Sequence, residues 1–308
     1  MSGCGECNVA IKMLLTGADG QLGRALQAQL VAPGLSVVAL SRSQLDITDA
    51  EAVSQSLRAH QPEFVLNAAG FSSWTAAQHK PADCYAVTRD GAGHLATACA
   101  EAGAVMVQFS SDHVFTGQSF EALTEADVPN PQSVLGNSQL EAEQLVRERC
   151  AEHLIIRTSG LFSSHGNNII TQTVQAMLAE RPIAASEDIV YCPTYVDHLA
   201  IILLGVLQQL ACRVEPPLWG TYHYSDKQQI SHFEFVQSIV AQAELLGIGP
   251  AVPVLAVPAS QIQHWPNTKR FSVLATDRIF LTFGVRQRRW RLGLNAALQG
   301  VQLNIVNS

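Results

Sequence analysis

Short apolar runs alternate, through the first half of the chain, with longer stretches in which apolar residues return every three or four positions. The runs ending at Leu15, Leu35 to Leu40, Phe64 to Asn67, Ala104 to Phe109 and Leu154 to Arg157 predict strands covered on both faces. Between them, the helical spacing of Ala25, Leu26 and Leu30, and the stretches Ala50 to Leu57, Pro81 to Ala102 and Val134 to Arg149, predict helices. Thr48 or Asp49 opens the second of these, and Ala96, Cys99 and Ala100 mark the packed side of the third. Strands alternating with helices specify an α/β fold, a Rossmann-like, doubly wound parallel sheet. From about residue 160 the rhythm loosens. Helices over Asn168 to Ala179, Val196 to Leu210 and Ser231 to Leu246 alternate irregularly with short strands such as Gly220 to Tyr224, and Pro216, Pro217, Pro250, Pro253 and Pro258 break the connections. That pattern predicts a smaller C-terminal substrate lobe at the C-terminal edge of the sheet.

The first predicted strand runs directly into glycines at Gly17, Gly20 and Gly23, with Gln21 and Leu22 between them, and then into a helix. A glycine turn at a helix start lets backbone N–H groups approach a pyrophosphate, which the positive end of the helix dipole also favours. The spacing is G-x-x-G-x-x-G, and its strand-turn-helix setting points to dinucleotide binding. The domains follow: a flexible tail over residues 1–10, a dinucleotide-binding domain over 11–160 with parts of 185–215, and mainly a substrate-binding lobe over 161–308. At the end of the second strand, an acid selects the ribose hydroxyl of NAD, whereas an arginine accommodates the 2′-phosphate of NADP. Here Ser41 and Arg42 stand at that place, so NADP(H) is favoured over NAD(H); an ordinary exposed arginine is the alternative reading of Arg42. Asp46 and Ile47 lie where a loop could edge the adenine. Asn67, Ala68 and Ala69 are small enough for a cofactor to lie against backbone, or simply close a tight turn.

Composition narrows the classes. At 308 residues the chain exceeds a typical domain of about 100–200 residues, and 47% hydrophobic with 15% charged residues excludes a disordered chain. A net charge of −7 argues against a dedicated nucleic-acid binder, and no apolar stretch is long enough to span a bilayer. Seven cysteines without framework spacing read as reduced thiols, and with no secretory pattern at the N-terminus they point to the cytoplasm. Cys4 and Cys7 form a C-x-x-C without the further ligands a zinc site needs, and the histidine spacings suggest no metal. Arg286, Arg288, Arg289 and Arg291 make the basic cluster of the chain, suited to a nucleotide diphosphate, a partner's acidic face, or a solvated helix start.

Several motifs coincide over residues 11–285: LLTGADGQLG (14–23), LDITD (45–49), NAAG (67–70), SSDHVF (110–115), HLIIRTSGLF (153–162), GNNI (166–169) and CPTYVDHLA (192–200). In their order and spacing the chain resembles the extended short-chain dehydrogenase/reductase family. Within it the chain is most similar to the dTDP-4-dehydrorhamnose reductases and their relative, the regulatory beta subunit of methionine adenosyltransferase. FSVLATDRI (271–279) matches the family only faintly. The resemblance implies hydride transfer from a nicotinamide to a sugar 4-ketone, with a tyrosine protonating the alkoxide and a lysine four residues later lowering that tyrosine's pKa. It also implies Pro193 beside the cofactor, a nucleotide-sugar or other small carbonyl ligand, and a homodimer, with a protein partner also open.

The chain departs from this pattern where the chemistry sits. In the register fixed by Pro131, Gly136, Ser138, Leu140 and Glu143, Leu135 occupies the tyrosine position and Gln139 the lysine position. Thr88 stands where the family has an asparagine, and WTAAQ (74–78) has lost the acidic and basic residues that follow NAAG. Of the catalytic set the hydroxyl of Ser111 survives. Leucine has no proton to give and glutamine no cationic field, so the favoured expectation is an NADP(H)-binding protein of the dTDP-4-dehydrorhamnose reductase type that is non-catalytic or regulatory. The alternative is an active NADPH-dependent reductase of a nucleotide-linked 4-keto-6-deoxysugar with a substitute donor. His113 is the first candidate, because histidine donates near neutral pH; Tyr85, Tyr191, Tyr195 and Cys192 are further ones.

Overall fold

The computed structural model describes residues 11–117, 120–212, 218–262 and 271–306. The expected tail with Cys4 and Cys7, together with Pro216, Pro217 and His264, lies outside the described residues. The first half of the chain runs β1 (Ile11–Thr16), α1 (Gln21–Gln29), β2 (Leu35–Leu40), α2 (Ala50–His60), β3 (Phe64–Asn67), α3 (Trp74–His79), α4 (Pro81–Tyr85), α5 (Gly91–Ala102), β4 (Val105–Ser111), α6 (Val134–Arg149) and β5 (His153–Thr158). It continues through β6 (Leu161–Phe162), α7 (Ile169–Leu178), β7 (Ile183–Ala185), β8 (Val190–Tyr191), β9 (Thr194–Tyr195) and α8 (Val196–Ala211). The chain ends with β10 (Gly220–His223), β11 (Ile230–Ser231), α9 (His232–Leu245), β12 (Val254–Ala256), β13 (Phe271–Ser272), α10 (Asp277–Phe283) and α11 (Trp290–Val306).

The central sheet is parallel throughout, in the order β10-β5-β4-β3-β1-β2. Its strands alternate between two cores because successive side chains point to opposite faces. Met13, Leu15, Phe64, Leu66, Val107, Leu154 and Ile156 pack with α1, α8 and α10 on one face. Leu14, Val65, Met106 and Ile155, one residue out of step, pack with α2, α5 and α6 on the other. The apolar runs are therefore continuous rather than alternating, as a sheet wound on both sides requires. The strand at Gly220–His223, read from sequence with the smaller lobe, pairs with β5 and forms an edge of the central sheet.

A separate core fills the C-terminal lobe, where Phe235 meets Phe162, Tyr191 and Trp290 ring to ring at 5.2–6.2 Å. Asp226 joins this lobe to the sheet: beyond β10, it accepts hydrogen bonds from the Tyr195 N–H (3.3 Å), His198 Nδ1 (2.7 Å) and the Tyr224 hydroxyl (3.2 Å). The buried pair Glu143–Arg157 does the same for α6 and β5, with two contacts of 2.8 and 2.6 Å. Burial alone would raise the Glu143 carboxyl, but the Arg157 hydrogen bonds and charge outweigh it and hold the group below its ordinary value.

The single helix expected over Pro81 to Ala102 is interrupted by a π-helical turn, Ala86–Asp90, between α4 and α5. Such turns insert one residue into an α-helix and are frequent at functional sites.

Candidate functional site

From β1 the chain goes outward to β2, then returns across β1 to β3, so the direction of winding reverses between β1 and β3. Doubly wound sheets bind ligands outside the strand C-termini at such a point. Gly17 leaves β1 there and Ala68 leaves β3. Gly17 has φ 70°, and a Cβ on it would lie 2.6 Å from the Ala68 carbonyl group and the Ala69 nitrogen. A Cβ on Gly23 would lie 2.1 Å from Gly17 O, whereas one on Gly20 would meet only Gly17 O, at 3.3 Å. Gly17 and Gly23 are thus required by backbone packing, and Gly20 leaves an open side where a ligand can approach the main chain.

Gly20 is also the N-cap of α1 and makes no side-chain cap, and the first turn carries no acid. The free N–H groups at this helix start suit an anion, so the cradle fits the pyrophosphate of a dinucleotide. Leu22 is committed to the core by its side chain, leaving only its main chain for a ligand. Gln21 Oε1 accepts from Ser163 Oγ at 3.2 Å, which brings the segment after β6 against the glycine turn. Asn168, in the GNNI motif, holds that segment by donating to Ser163 O and His165 O while capping α7.

At the end of β2, Ser41 is engaged locally: its N–H and its hydroxyl both donate to Gln44 Oε1 at 2.9 Å. Arg42 is different. Its side chain is 79% exposed and its contact with Asp46 is long, 3.9 Å, so the guanidinium is not locked away from a ligand. The Asp46 carboxyl is held below its ordinary value by the Thr48 N–H and hydroxyl, with Arg42 adding to the effect. Ile47 is buried, and its carbonyl accepts from His94 Nδ1 at 3.0 Å. Asn67 is buried in a cross-strand ladder that the sequence did not reveal: Thr16 Oγ1 donates to Asn67 Oδ1, and Asn67 Nδ2 donates to Gln108 Oε1, both at 2.7 Å. A lone glutamine in the run Val105 to Phe109 was the available signal. Ala68 and Ala69 stay partly exposed beside Gly17. Pro193 is buried beyond β5, its Cα 3.3 Å from where a Cβ on Gly160 would sit.

The far end of the edge is built by β4 and α6. Ser111 Oγ donates to Gln139 Oε1 at 2.6 Å and accepts the His113 N–H at 3.1 Å. A Cβ on Gly136 would lie 2.2 Å from His113 O, so α6 rests directly against the residue after Asp112. Leu135 is 1% exposed and packs with Ala77 and Cys84, and with the partly buried Phe71, Trp74 and Val134. An apolar cluster thus stands where a phenol would be. Thr88 lies in the π-helical turn, where its hydroxyl accepts the Phe71 N–H at 3.3 Å.

Other candidate donors are less suited. Tyr191 and Tyr195 belong to the second core, and burial first, then neighbouring carboxylates, raises both phenols well above their ordinary value. Burial likewise pushes the Cys192 thiol up to about 11. Tyr85 packs under Arg89 with its pKa raised, chiefly by desolvation.

The family model described as RmlD substrate binding domain matches residues 11–303. The spore coat polysaccharide biosynthesis protein SpsK of Bacillus subtilis is 30% identical over 94% of this chain and 97% of its own length. A dTDP-4-dehydrorhamnose reductase of Sinorhizobium fredii is 27% identical over 91% and 94%. Among solved structures, a dTDP-4-dehydrorhamnose reductase from Clostridium acetobutylicum superposes with a TM-score of 0.86 at 30% identity, covering 94% of this chain and 99% of that one. The enzyme of the same name from Bacillus anthracis, solved in complex with NADP, gives 0.84 at 28% identity over 94% and 98%.

Proposed function

The chain belongs to the RmlD substrate binding domain family, and from that premise we propose that it binds an NAD(P)H dinucleotide, NADP(H) in preference to NAD(H), as a non-catalytic, regulatory member of the dTDP-4-dehydrorhamnose reductase type. In this reading Gly17, Gly20, Gly23 and the start of α1 hold the pyrophosphate, and Ser41 and Arg42 face the adenosine ribose. Asp46 and Ile47 edge the adenine, and Asn67, Ala68, Ala69 and Pro193 line the remainder. Bound there, the dinucleotide would supply hydride. The positions that carry the family's proton-donating set offer no matching proton: the Ser111 hydroxyl is spent on Gln139 at 2.6 Å, and Leu135 is buried among apolar neighbours. That replacement of a proton-donating set by a closed serine–glutamine pair carries the proposal.

The test is an equilibrium titration with NADPH and with NADH, followed by nicotinamide fluorescence, together with turnover of a nucleotide-linked 4-keto-6-deoxysugar. The expected result is saturable binding, tighter for NADPH, without turnover. Failure to bind either dinucleotide rejects the reading. One observation favours a second reading, an active reductase: the packing of Gly136 on the His113 carbonyl sets the His113 main chain beside the residue that replaces the tyrosine. On that reading wild type turns over the sugar and His113→Ala slows it.

A further inference from the structure

The arginines near the C-terminus have no part in the dinucleotide edge, and they frame a pocket of their own. Gln287 Nε2 donates to Ser225 O at 3.1 Å, and the Lys227 N–H donates to Arg288 O at 2.6 Å. Lys227 and Arg289 pair as a parallel bridge, so segment 286–291 lies alongside segment 225–229. Between these segments and α9 is a pocket of about 480 Å³, within the range of small-ligand and peptide-side-chain sites. Glu234, Gln237, Ser238 and Ala241 line it at the spacing of one helix face, and the buried Ile230 and Trp290 supply its apolar wall.

The two segments that flank the pocket carry charge of one sign. The Arg291 Cζ lies over the Trp290 ring, 4.4 Å from its centroid, and the side chain forms no hydrogen bond or ion pair among the described residues. Arg286, Arg288 and Arg289 are exposed and likewise form no ion pair among the described residues. Lys227, also exposed, makes this five of the 19 basic residues of a chain whose net charge is −7. Neither residues 227–231 nor residues 286–291 contain an acid. Glu234 is the one carboxylate on the pocket wall; its Oε2 accepts the Ser231 N–H and hydroxyl, which hold the carboxyl below its ordinary value, and the Arg291 charge adds to the effect without a direct contact.

We propose that this pocket and its arginine row dock an acidic peptide segment of a partner protein. A carboxylate takes the fork of Arg291, for which planar two-point pairing is the favoured geometry. The amides of Gln228, Gln229 and Gln237 each donate and accept, as peptide groups require. Leu292, 67% exposed next to Arg291, offers an apolar contact. A small anion would be satisfied by Arg291 alone. Arg286, Arg288 and Arg289 continue the positive charge outside the pocket lining, which suits a chain carrying several carboxylates. The proposal is independent of whether the glycine turn binds a dinucleotide.

The test uses the full chain and a fluorescein-labelled peptide alternating glutamate and leucine, with a counterpart carrying glutamine in place of every glutamate. Fluorescence anisotropy at low ionic strength is expected to show saturable binding of the acidic peptide, at least tenfold tighter than its neutral counterpart and weakened by added salt. Arg291→Ala and the isosteric Gln237→Glu, both at exposed positions, are each expected to weaken it about tenfold, whereas Arg58→Ala on α2 leaves it unchanged. Thermal midpoints and far-ultraviolet circular dichroism confirm that each variant is folded. Equal binding of both peptides, or no loss in either pocket variant, overturns the proposal. Displacement by inorganic pyrophosphate at lower concentration than by unlabelled peptide also overturns it, in favour of a phosphate-bearing ligand.

Discussion

The Ser111 hydroxyl carries a single proton, and at 2.6 Å from Gln139 Oε1 that proton is committed to an amide oxygen. A lysine at 139 would donate rather than accept, so restoring it both frees Ser111 and returns a positive charge to the site. Leu135 is a harder replacement. It is 1% exposed among Ala77 and Cys84, and a tyrosine there overpacks the cluster at a cost of about 1–3 kcal/mol. The prediction is accordingly specific. Leu135→Tyr alone lowers the thermal midpoint and confers no activity. Leu135→Tyr with Gln139→Lys keeps the lowered midpoint but gains NADPH-dependent reduction of a nucleotide-linked 4-keto-6-deoxysugar, by about the 10²–10⁴-fold that general acid catalysis supplies. A double variant as inert as wild type, yet folded and NADPH-bound, would mean that substrate contacts and not the acid are what this chain has lost. The identities at positions 111, 135 and 139 were legible from the aligned motifs. Their mutual hydrogen bonding was not, because it depends on the approach of α6 to the end of β4, which residue spacing does not encode.

At the scale of the element, the glycine turn separates two roles that its spacing runs together. Gly23 sits against Gly17 O and cannot take a Cβ without moving α1, whereas a Cβ on Gly20 makes one tight contact, 3.3 Å from Gly17 O, that a shift of a few tenths of an ångström relieves. Gly23→Ala is therefore expected to lower the thermal midpoint in the absence of any ligand. Gly20→Ala should lower that midpoint by less than Gly23→Ala, since it costs only the cap preference of about 1 kcal/mol and one tight contact, while weakening NADPH several-fold by obstructing its approach. Parallel melts with and without NADPH distinguish the two. Elements with strong patterning were the legible ones: β1, β3, β4 and β5 are apolar on both faces because both are covered. Strands of two or three residues, such as β6, β8, β9 and β13, exist only through their partners and left no local signal. The six-residue α3, capped by Ser73, is too short for periodicity to mark. The π-helical turn at Ala86–Asp90 shifts the helical phase for one turn only, which a reading of apolar spacing across Pro81 to Ala102 averages away.

For the molecule as a whole, three histidines tie stability to pH. His223 bridges the sheet and the segment after β4: its Nδ1 donates to Leu123 O at 3.1 Å, so its unprotonated Nε2 faces Arg157 Nη1 at 3.4 Å. Burial, and then the Arg157 charge, push its pKa down to about 4. Burial does the same to His232, also to about 4, where Nδ1 accepts the Ser186 N–H at 3.2 Å, and it lowers His153 in β5. A base whose folded pKa lies below its unfolded value binds protons preferentially in the unfolded chain. Its contribution is therefore fully present above the unfolded value of about 6.5 and is lost as pH falls from there toward about 4. The expected outcome is a urea midpoint that is flat above about pH 7 and declines below about pH 6.5, each of His223 and His232 withdrawing on the order of 1 kcal/mol by about pH 5.5. His232→Asn retains a side-chain acceptor for Ser186 but cannot titrate, so it should flatten the acid limb even if it lowers stability at neutral pH. An acid limb with unchanged slope in that variant would assign the loss to carboxylates such as Glu143, whose folded pKa is depressed and whose contribution disappears at lower pH.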